Sequence, residues 1–262
     1  MNNIFIYALI SSVLVSIIVG LTGSFVVARR VSFISGGLSH AIFAGVGLGY
    51  LMNFNPVYGA ILTVLLAAVL LGYTRTYMEQ SEDSVIGITW ALGMALGVLF
   101  LSMSSGYTPD VMGFIFGDIL ATSDFDLYFM AAIAAIVFVV IVFYYNEFIA
   151  LSFDETFVKI QGKNVFFLNS LLFAIIGLTV VALVKAIGVV LVVSMLTIPA
   201  SIVMMYLKDM KKIMFFNGLL TFVFSIIGIT VSYFLDWGST PAIIIPMVIC
   251  YLGSIAYVRI RH

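Results

Sequence analysis

Long apolar runs, separated by short polar or charged stretches, make up almost the whole chain. Crossing about 30 Å of hydrocarbon takes roughly 20 helical residues, and each run approaches that length. The pattern therefore predicts nine spans, and an all-α fold that is a polytopic transmembrane helical bundle. The predicted spans are Ile4–Val27, Val31–Met52, Val57–Tyr73, Ser84–Met103, Leu127–Tyr145, Phe166–Val184, Ala186–Tyr206, Ile213–Leu235 and Ala242–Val258.

Two divisions between spans depend on local features. Residues 31–74 carry no charge, so we place the split at Asn53-Phe54-Asn55-Pro56. Asn and a residue that precedes Pro both disfavour helix continuation. Lys185 divides an apolar run that is otherwise too long for one span, because a charge is costly at the bilayer centre.

The basic residues orient the chain, because cytoplasmic loops carry an excess of Lys and Arg. With the N-terminus outside, ten of the eleven Lys and Arg residues lie on the cytoplasmic side and only Lys185 lies outside. The opposite orientation reverses this ratio. We therefore predict an N-terminus outside and a C-terminus inside.

Composition is typical of a multi-pass protein of a cell membrane. The chain is 63% apolar and 9% charged, with a mean hydropathy of +1.25. Soluble domains are about 45–50% apolar and about 25% charged. We expect residues 1–262 to form one transmembrane domain whose partner is the lipid bilayer. A net charge of −1 without a basic patch argues against nucleic acid, and the single cysteine, Cys250, cannot form an internal disulfide.

Two connections are longer than a turn. The outer one, Ser104–Asp126, contains the apolar segment Val111–Ala121, which is too short to span. We expect a short re-entrant helix there, so that the count is nine spans or eight plus this segment. A helix lying on the outer surface is the alternative. The inner connection covers residues 146–165 on the cytoplasmic side.

The inner connection carries the pattern of a short amphipathic helix. Ser152 is the expected N-cap, and Asp154 and Glu155 follow in the first turn, where the helix dipole favours acidic side chains. Gly162 is the expected stop. The apolar side consists of Phe153, Phe157 and Ile160. Such a helix docks on a partner or lies on the membrane interface.

Several classes of function are disfavoured by missing motifs. The chain contains no G-x-x-x-x-G-K-[ST] loop, so we expect no ATP hydrolysis by this chain alone. It also contains no H-E-x-x-H protease motif. The predicted spans lack carboxylates in their cores, which argues against a proton- or sodium-coupled carrier. We expect a protein that is not itself an enzyme and has no permanently bound cofactor.

His40 is the only histidine inside a predicted span, ten residues beyond Arg30. At about 1.5 Å per residue it lies roughly 15 Å deep, near the bilayer midplane, where a titratable residue suggests a functional role. A neutral imidazole offers a lone pair to a cation, with oxygen from Ser35 or Ser39, a backbone carbonyl, water or a second His40 completing the site. The alternative is a packing role. Pro199 predicts a kink near the pathway or its gate, because proline removes a hydrogen bond to Met195. The alternative is a kink that only improves packing.

Four blocks of residues occur together and in order. They are Arg29–Ala41 with Gly45–Gly49, Phe116–Leu120, Phe153–Gly162, and Val189–Ala200, which ends in Thr197-Ile198-Pro199-Ala200. In this order and spacing they resemble the zinc/manganese permease family of ABC importers over nearly the whole chain.

The resemblance implies the membrane-spanning permease of an ATP-driven importer for a divalent metal. Zinc is the favoured cargo, with manganese or iron as options. It implies partners as well: a second permease copy, separate ATP-binding cassette subunits and an extracytoplasmic metal-binding protein. It assigns Ser152–Gly162 as the coupling helix, which the cassette subunits would contact through Asp154, Glu155, Phe157, Gln161 and Gly162. The location that it implies is a bacterial plasma or inner membrane. Other readings are a permease for a metal chelate such as an iron-siderophore or cobalamin, or a secondary carrier or channel.

One position departs from the family. Many members carry an acidic residue one helical turn before the histidine, and here that position is Gly36. Manganese prefers oxygen-rich sites and imidazole suits zinc, so the departure favours zinc.

Overall fold

A computed structural model of the chain describes residues 2–78, 82–104, 117, 119 and 122–261. In these ranges the regular structure is helical and contains no strand. The helices are α1 (Asn2–Ala28), α2 (Ser32–Leu51), α3 (Pro56–Tyr77), α4 (Glu82–Met103), α5 (Asp124–Phe143), α6 (Tyr145–Phe153), α7 (Glu155–Ile160), α8 (Val165–Ile187), α9 (Val189–Tyr206), α10 (Met210–Leu235) and α11 (Ser239–Arg261).

Nine of the helices in the described ranges are long and apolar enough to cross a membrane. They are all of these helices except α6 and α7, and each coincides with a predicted span to within a few residues. The all-α, polytopic class predicted from the sequence is confirmed. The expected re-entrant segment Val111–Ala121 lies almost wholly outside the described residues.

The turns between spans follow from local chemistry. The Asn55 side chain caps α3 by accepting from the Val57 N–H at 3.0 Å, and Pro56 occupies the first helical position, where its missing N–H costs nothing. The predicted split at this site is confirmed. Asp209 caps α10 in the same way, with its carboxylate accepting from the Lys211 and Lys212 N–H groups.

Two helix boundaries differ from the prediction. Lys185 lies inside α8, and the chain breaks instead at Gly188, whose φ of 78° ends the helix in a conformation that glycine adopts without strain. The charge is tolerated because Lys185 Nζ pairs with Asp126 Oδ1 at 2.5 Å. Ser152 lies inside α6, where its hydroxyl donates to the Phe148 carbonyl. Asp154 is the N-cap of α7.

The described residues fall into two compact units. In one, which contains the described residues within 1–30, 112–139 and 182–262, α1 packs on α10 and α9, and α11 packs on both of these. The Asn217 amide donates to the Val19 carbonyl at 2.9 Å, and a Cβ on Gly20 would lie 2.9 Å from Gly218 Cα. Small residues of this kind let helices approach closely in lipid, where hydrophobic burial does not drive association.

The other unit contains the described residues within 31–111 and 140–181, and α2 packs on both α3 and α4 within it. Backbone meets backbone at these contacts: a Cβ on Gly93 of α4 would lie 2.6 Å from both Ala41 Cα and the His40 carbonyl oxygen. On the α3 side, Gly45 and Gly59 meet so closely that neither has room for a Cβ. These glycine contacts therefore hold α2, and His40 with it, against α3 and α4. Whether residues 1–262 act as one domain stays a prediction.

Candidate functional site

His40 lies near the middle of α2, about 12 Å along the axis from its first residue. Opposite it on α4, Trp90 and Met94 are four residues apart and therefore share one helix face. Both flank the middle of α4. We refer to His40, Trp90 and Met94 as the His40 cluster.

The three side chains of the His40 cluster are in direct contact. His40 Nδ1 lies 3.1 Å from Met94 Sδ. The Trp90 indole stacks on the imidazole, with ring centroids 4.2 Å apart and planes inclined by 12°. His40 and Met94 are half-buried and Trp90 is 41% exposed, so the cluster is open on one side of the chain.

Trp90 also accounts for the glycine at position 36. A Cβ at Gly36 would lie 3.3 Å from Trp90 Cζ3, so the indole occupies the space next to α2 that a side chain would fill. Gly36 and His40 are one turn apart on the same face. The indole thus covers the face on which an acidic residue would be the neighbour of His40.

The two serines named with His40 lie on a different face of α2. Ser35 and Ser39 are both fully buried. The Ser35 hydroxyl donates to the Ser32 carbonyl at 2.8 Å, and the Ser39 hydroxyl donates to the Ser35 carbonyl at 2.6 Å. Each oxygen keeps lone pairs, but adjacent residues on a helix point about 100° apart. Their part in a metal site stays a prediction.

Within the described ranges there is no group of three or more His, Cys, Asp or Glu residues that could hold a metal ion. The donors that the structure brings together are one imidazole nitrogen and one thioether sulfur, which Met94 contributes. These are nitrogen and soft sulfur donors rather than the oxygen donors that manganese and magnesium prefer.

The second candidate site is the short helix α7 with the residues that anchor it. The Asp154 carboxylate accepts from the Thr156 and Phe157 N–H groups at 2.8 and 3.1 Å, which caps the helix. Glu155 Oε1 accepts from Arg75 Nε of α3 at 2.5 Å. Gly162 follows α7 with a φ of 75°, so the predicted glycine stop is confirmed.

One side of α7 is buried and the other is apolar and exposed. Val158 is fully buried against the protein. Phe153, Phe157 and Ile160, which we call the α7 docking surface, are 82%, 49% and 80% exposed. Gln161 is exposed beside it. These large apolar side chains lie outside the spanning helices, so a partner or a membrane interface is needed to cover them.

A second ion pair joins α6 to the residues that follow α7. Lys163 Nζ donates to Glu147 Oε1 at 2.8 Å. This hydrogen bond from Lys163 is the main reason that the pKa of the Glu147 carboxyl is lowered.

Pro199 lies inside α9 and is buried. In the same helix, the Thr197 hydroxyl donates to the Val193 carbonyl and the Ser201 hydroxyl donates to the Thr197 carbonyl. On α1, a Cβ at Gly23 would lie 2.8 Å from the Leu196 carbonyl oxygen, so α1 passes close to this part of α9. The predicted bend, and a role beside the pathway, stay predictions.

Sequence reasoning missed Trp90, Met94 and Arg75. The signal for the first two was present: a tryptophan in mid-span rather than at the membrane interface, followed four residues later by a methionine. Arg75 gave no signal beyond its position at a span end, because its partner Glu155 is 80 residues away in sequence.

Nine apolar helices of spanning length in the described ranges define a multi-pass membrane protein. The chain belongs to the ABC 3 transport family, whose family model matches residues 1–258. It is 38% identical to an uncharacterized membrane protein of Synechocystis over 96% of this chain and 90% of that protein. It is 32% identical to the manganese transport system membrane protein MntC of Listeria monocytogenes, over 93% and 87%.

Among solved structures, the chain is similar to one of PsaBC from Streptococcus pneumoniae in complex with Fab. The TM-score is 0.85 at 27% sequence identity, and the match covers 99% of this chain and 95% of the other.

Proposed function

We propose that this chain is the membrane-spanning permease of an ATP-driven ABC importer that moves a divalent metal ion, zinc, into the cytoplasm. The observation that carries the proposal is the position of His40. Its imidazole lies in the middle of a span, half-buried, beside a thioether, and a glycine and an indole occupy the place of a carboxylate. A weak, accessible site of this kind suits passage, because a pathway must release what it binds.

The choice of zinc depends on ligand chemistry. Imidazole suits zinc, and thioether sulfur is a soft donor, whereas manganese prefers carboxylate, carbonyl and water oxygen. Manganese is the second candidate, because the Listeria relative named above is a manganese transport system membrane protein and is 32% identical to this chain over 93% of its length. Iron is a third divalent option. The chemistry of the His40 cluster favours zinc over both.

The proposal requires separate partners. The sequence has no phosphate-binding loop, so ATP hydrolysis would come from cytoplasmic ATP-binding cassette subunits. The α7 docking surface is the proposed contact for them, with Asp154, Glu155 and Gly162 holding α7 in place and Gln161 beside it. An extracytoplasmic metal-binding protein and a second permease copy complete the proposed assembly.

The experiment is uptake of radiolabelled zinc, manganese and iron by vesicles that contain the reassembled importer. His40→Gln should reduce zinc uptake at least tenfold while assembly with the ATPase subunits persists. His262→Gln changes the only other histidine and serves as the matched control. Uptake at the parent rate by His40→Gln would remove His40 from the pathway. Faster uptake of manganese than of zinc would overturn the metal assignment.

The same vesicles separate the remaining alternatives. A permease for an iron-siderophore or cobalamin would take up the chelate and leave free metal outside. A secondary carrier or channel would move metal without ATP. Either result would replace the proposal of a metal-ion importer.

A further inference from the structure

We propose that the His40 cluster is a binding site for a soft monovalent cation, Cu(I), held between His40 Nδ1 and Met94 Sδ beneath the face of Trp90. Thioether and imidazole are the donors that Cu(I) favours. Binding itself does not require that the chain transports zinc. The consequence for transport, that a bound soft cation blocks the passage of zinc, rests on the proposed function.

The two donors can share a cation after a small movement of the Met94 side chain. With metal–nitrogen and metal–sulfur distances of about 2.0 and about 2.3 Å, the observed separation of 3.1 Å corresponds to an angle of about 90° at the metal. A tetrahedral angle would need a separation of about 3.5 Å. Met94 is unbranched and half-buried, so a small rotation of its side chain supplies the difference.

The tryptophan contributes a second attraction. The indole and the imidazole are nearly parallel, 4.2 Å apart. A cation about 2 Å beyond Nδ1 in the imidazole plane would lie roughly 4–6 Å from the indole, within the range of a cation–π interaction. A cation–π interaction is strongest when the cation has lost its water on the side of the ring. It therefore adds to the preference for a weakly hydrated soft ion.

The proton on the imidazole must move when a metal binds at Nδ1. In the metal-free chain, the 3.1 Å contact accommodates an Nδ1–H that donates to the thioether, a weak acceptor. Metal binding at Nδ1 requires the tautomer with its proton on Nε2. Within the described residues, His40 belongs to no group of three or more His, Cys, Asp or Glu side chains, so no carboxylate cluster there selects a hard ion.

The sequence allows a test at this one site. The chain has two tryptophans, so Trp237→Phe leaves Trp90 as the only indole, and Trp237 is exposed between α10 and α11. Trp90 fluorescence of the full-length Trp237→Phe chain in lipid nanodiscs is titrated with Ag⁺, a redox-stable soft cation, and with Cu(I). One equivalent of either ion should quench the fluorescence.

Met94→Leu preserves side-chain volume and removes the sulfur, so the fold should tolerate it. In the Trp237→Phe background it should lower the affinity for Ag⁺, measured by quenching, by more than the ~10–100-fold that is typical for loss of an outer-shell partner. The matched control is Met103→Leu, which removes an exposed thioether from the same helix. His40→Gln is the second variant and should weaken the quenching as Met94→Leu does.

The outcomes decide the proposal. Quenching that Met94→Leu and His40→Gln abolish and Met103→Leu preserves supports it. No quenching in the parent, or quenching that survives Met94→Leu, overturns it. Zinc uptake is measured separately on the same variants. A parent chain that fails to transport zinc but binds Ag⁺ at Met94 would refute the proposed cargo and leave the soft-cation site standing.

Discussion

Arg75, in the last turn of α3, donates through Nε to the carboxylate of Glu155, the first residue of α7, across 2.5 Å. Each charge lies at the helix end that its own dipole favours, a cation at a C-terminus and an anion at an N-terminus. The pair ties a short helix outside the spans to a spanning helix, and it determines which substitutions can test that helix.

The α7 docking surface should bind the ATPase subunit through its apolar side chains. The double change Phe153→Ser and Ile160→Ser removes two of the most exposed of these side chains and leaves Val158 in place. We expect at least a tenfold loss of affinity for the ATPase subunit, measured by co-purification from detergent. Tenfold corresponds to about 1.4 kcal/mol, modest for two apolar anchors.

Thr156→Ser, at an exposed position of the same helix, is the control for the docking surface. Undiminished binding by the double variant would show that this surface faces lipid instead.

We also expect charge reversal of Asp154 and Glu155 to uncouple ATP hydrolysis from transport. Those variants remove the cap and the ion pair of α7, so they report on its position as well as on the partner.

Gly36→Asp should change the metal preference only when Trp90 is also replaced by a smaller residue. Alone, the new side chain meets the indole, 3.3 Å from its Cβ position. With Trp90→Ala, a carboxylate and an imidazole one turn apart can share a metal, and oxygen favours manganese. We expect the ratio of manganese to zinc uptake to rise in the double variant, with Trp90→Ala alone as the control. An unchanged ratio would argue against selection at His40.

The lowered pKa of Glu147 gives a prediction about acid stability. Because the folded state favours the ionised carboxylate, the pair with Lys163 stabilises the fold above the unfolded pKa of about 4.3. This contribution is lost as the pH falls through the lower, folded pKa.

Lys163→Met should therefore remove that advantage near neutral pH and make no difference in strong acid. The pair is partly exposed, with side-chain exposures of 41% and 25%, so the change in the free energy of unfolding should be about 0.2–1 kcal/mol. Unfolding midpoints from pH 3 to 7, roughly the range around the carboxyl pKa, would measure it. An equal difference at both ends of the range would contradict this assignment.

Topology is the remaining prediction. A reporter enzyme fused after His262 should behave as cytoplasmic, because ten of the eleven basic residues then lie inside. A reporter placed at the Asn53–Asn55 turn should behave as external. Activity with the opposite pattern would reverse the orientation.

The spans were predictable because hydrophobic length is a property of the sequence alone. The Asn55–Pro56 turn was found since its capping chemistry is local. The Lys185 division was wrong by three residues, because the partner that makes its charge tolerable, Asp126, is remote in sequence. Ser152 was misassigned as a cap for a local reason: Asp154, two positions later, caps α7 instead.

For the candidate site, too, the local features could be predicted from the sequence and the contacts between helices could not. His40 stands out in the sequence as a titratable residue in mid-span. Its contacts with Trp90 and Met94 depend on how α2 and α4 align, and that alignment comes from backbone contact at Gly93, which no periodicity reveals. The same alignment explains Gly36, which the sequence shows only as a missing acid.

The glycine contacts on α2 also limit how the protein can move. Helices that meet backbone to backbone, as α2 does with α4 at Gly93 and with α3 at Gly59, collide if one slides past the other by even a single ~1.5 Å step. During a transport cycle these three helices would therefore travel as a single moving part, with His40 carried at its centre. Under the function proposed above, cargo bound at His40 would be released when other surfaces separate from the histidine, and not by a shift of the histidine within its own helix group.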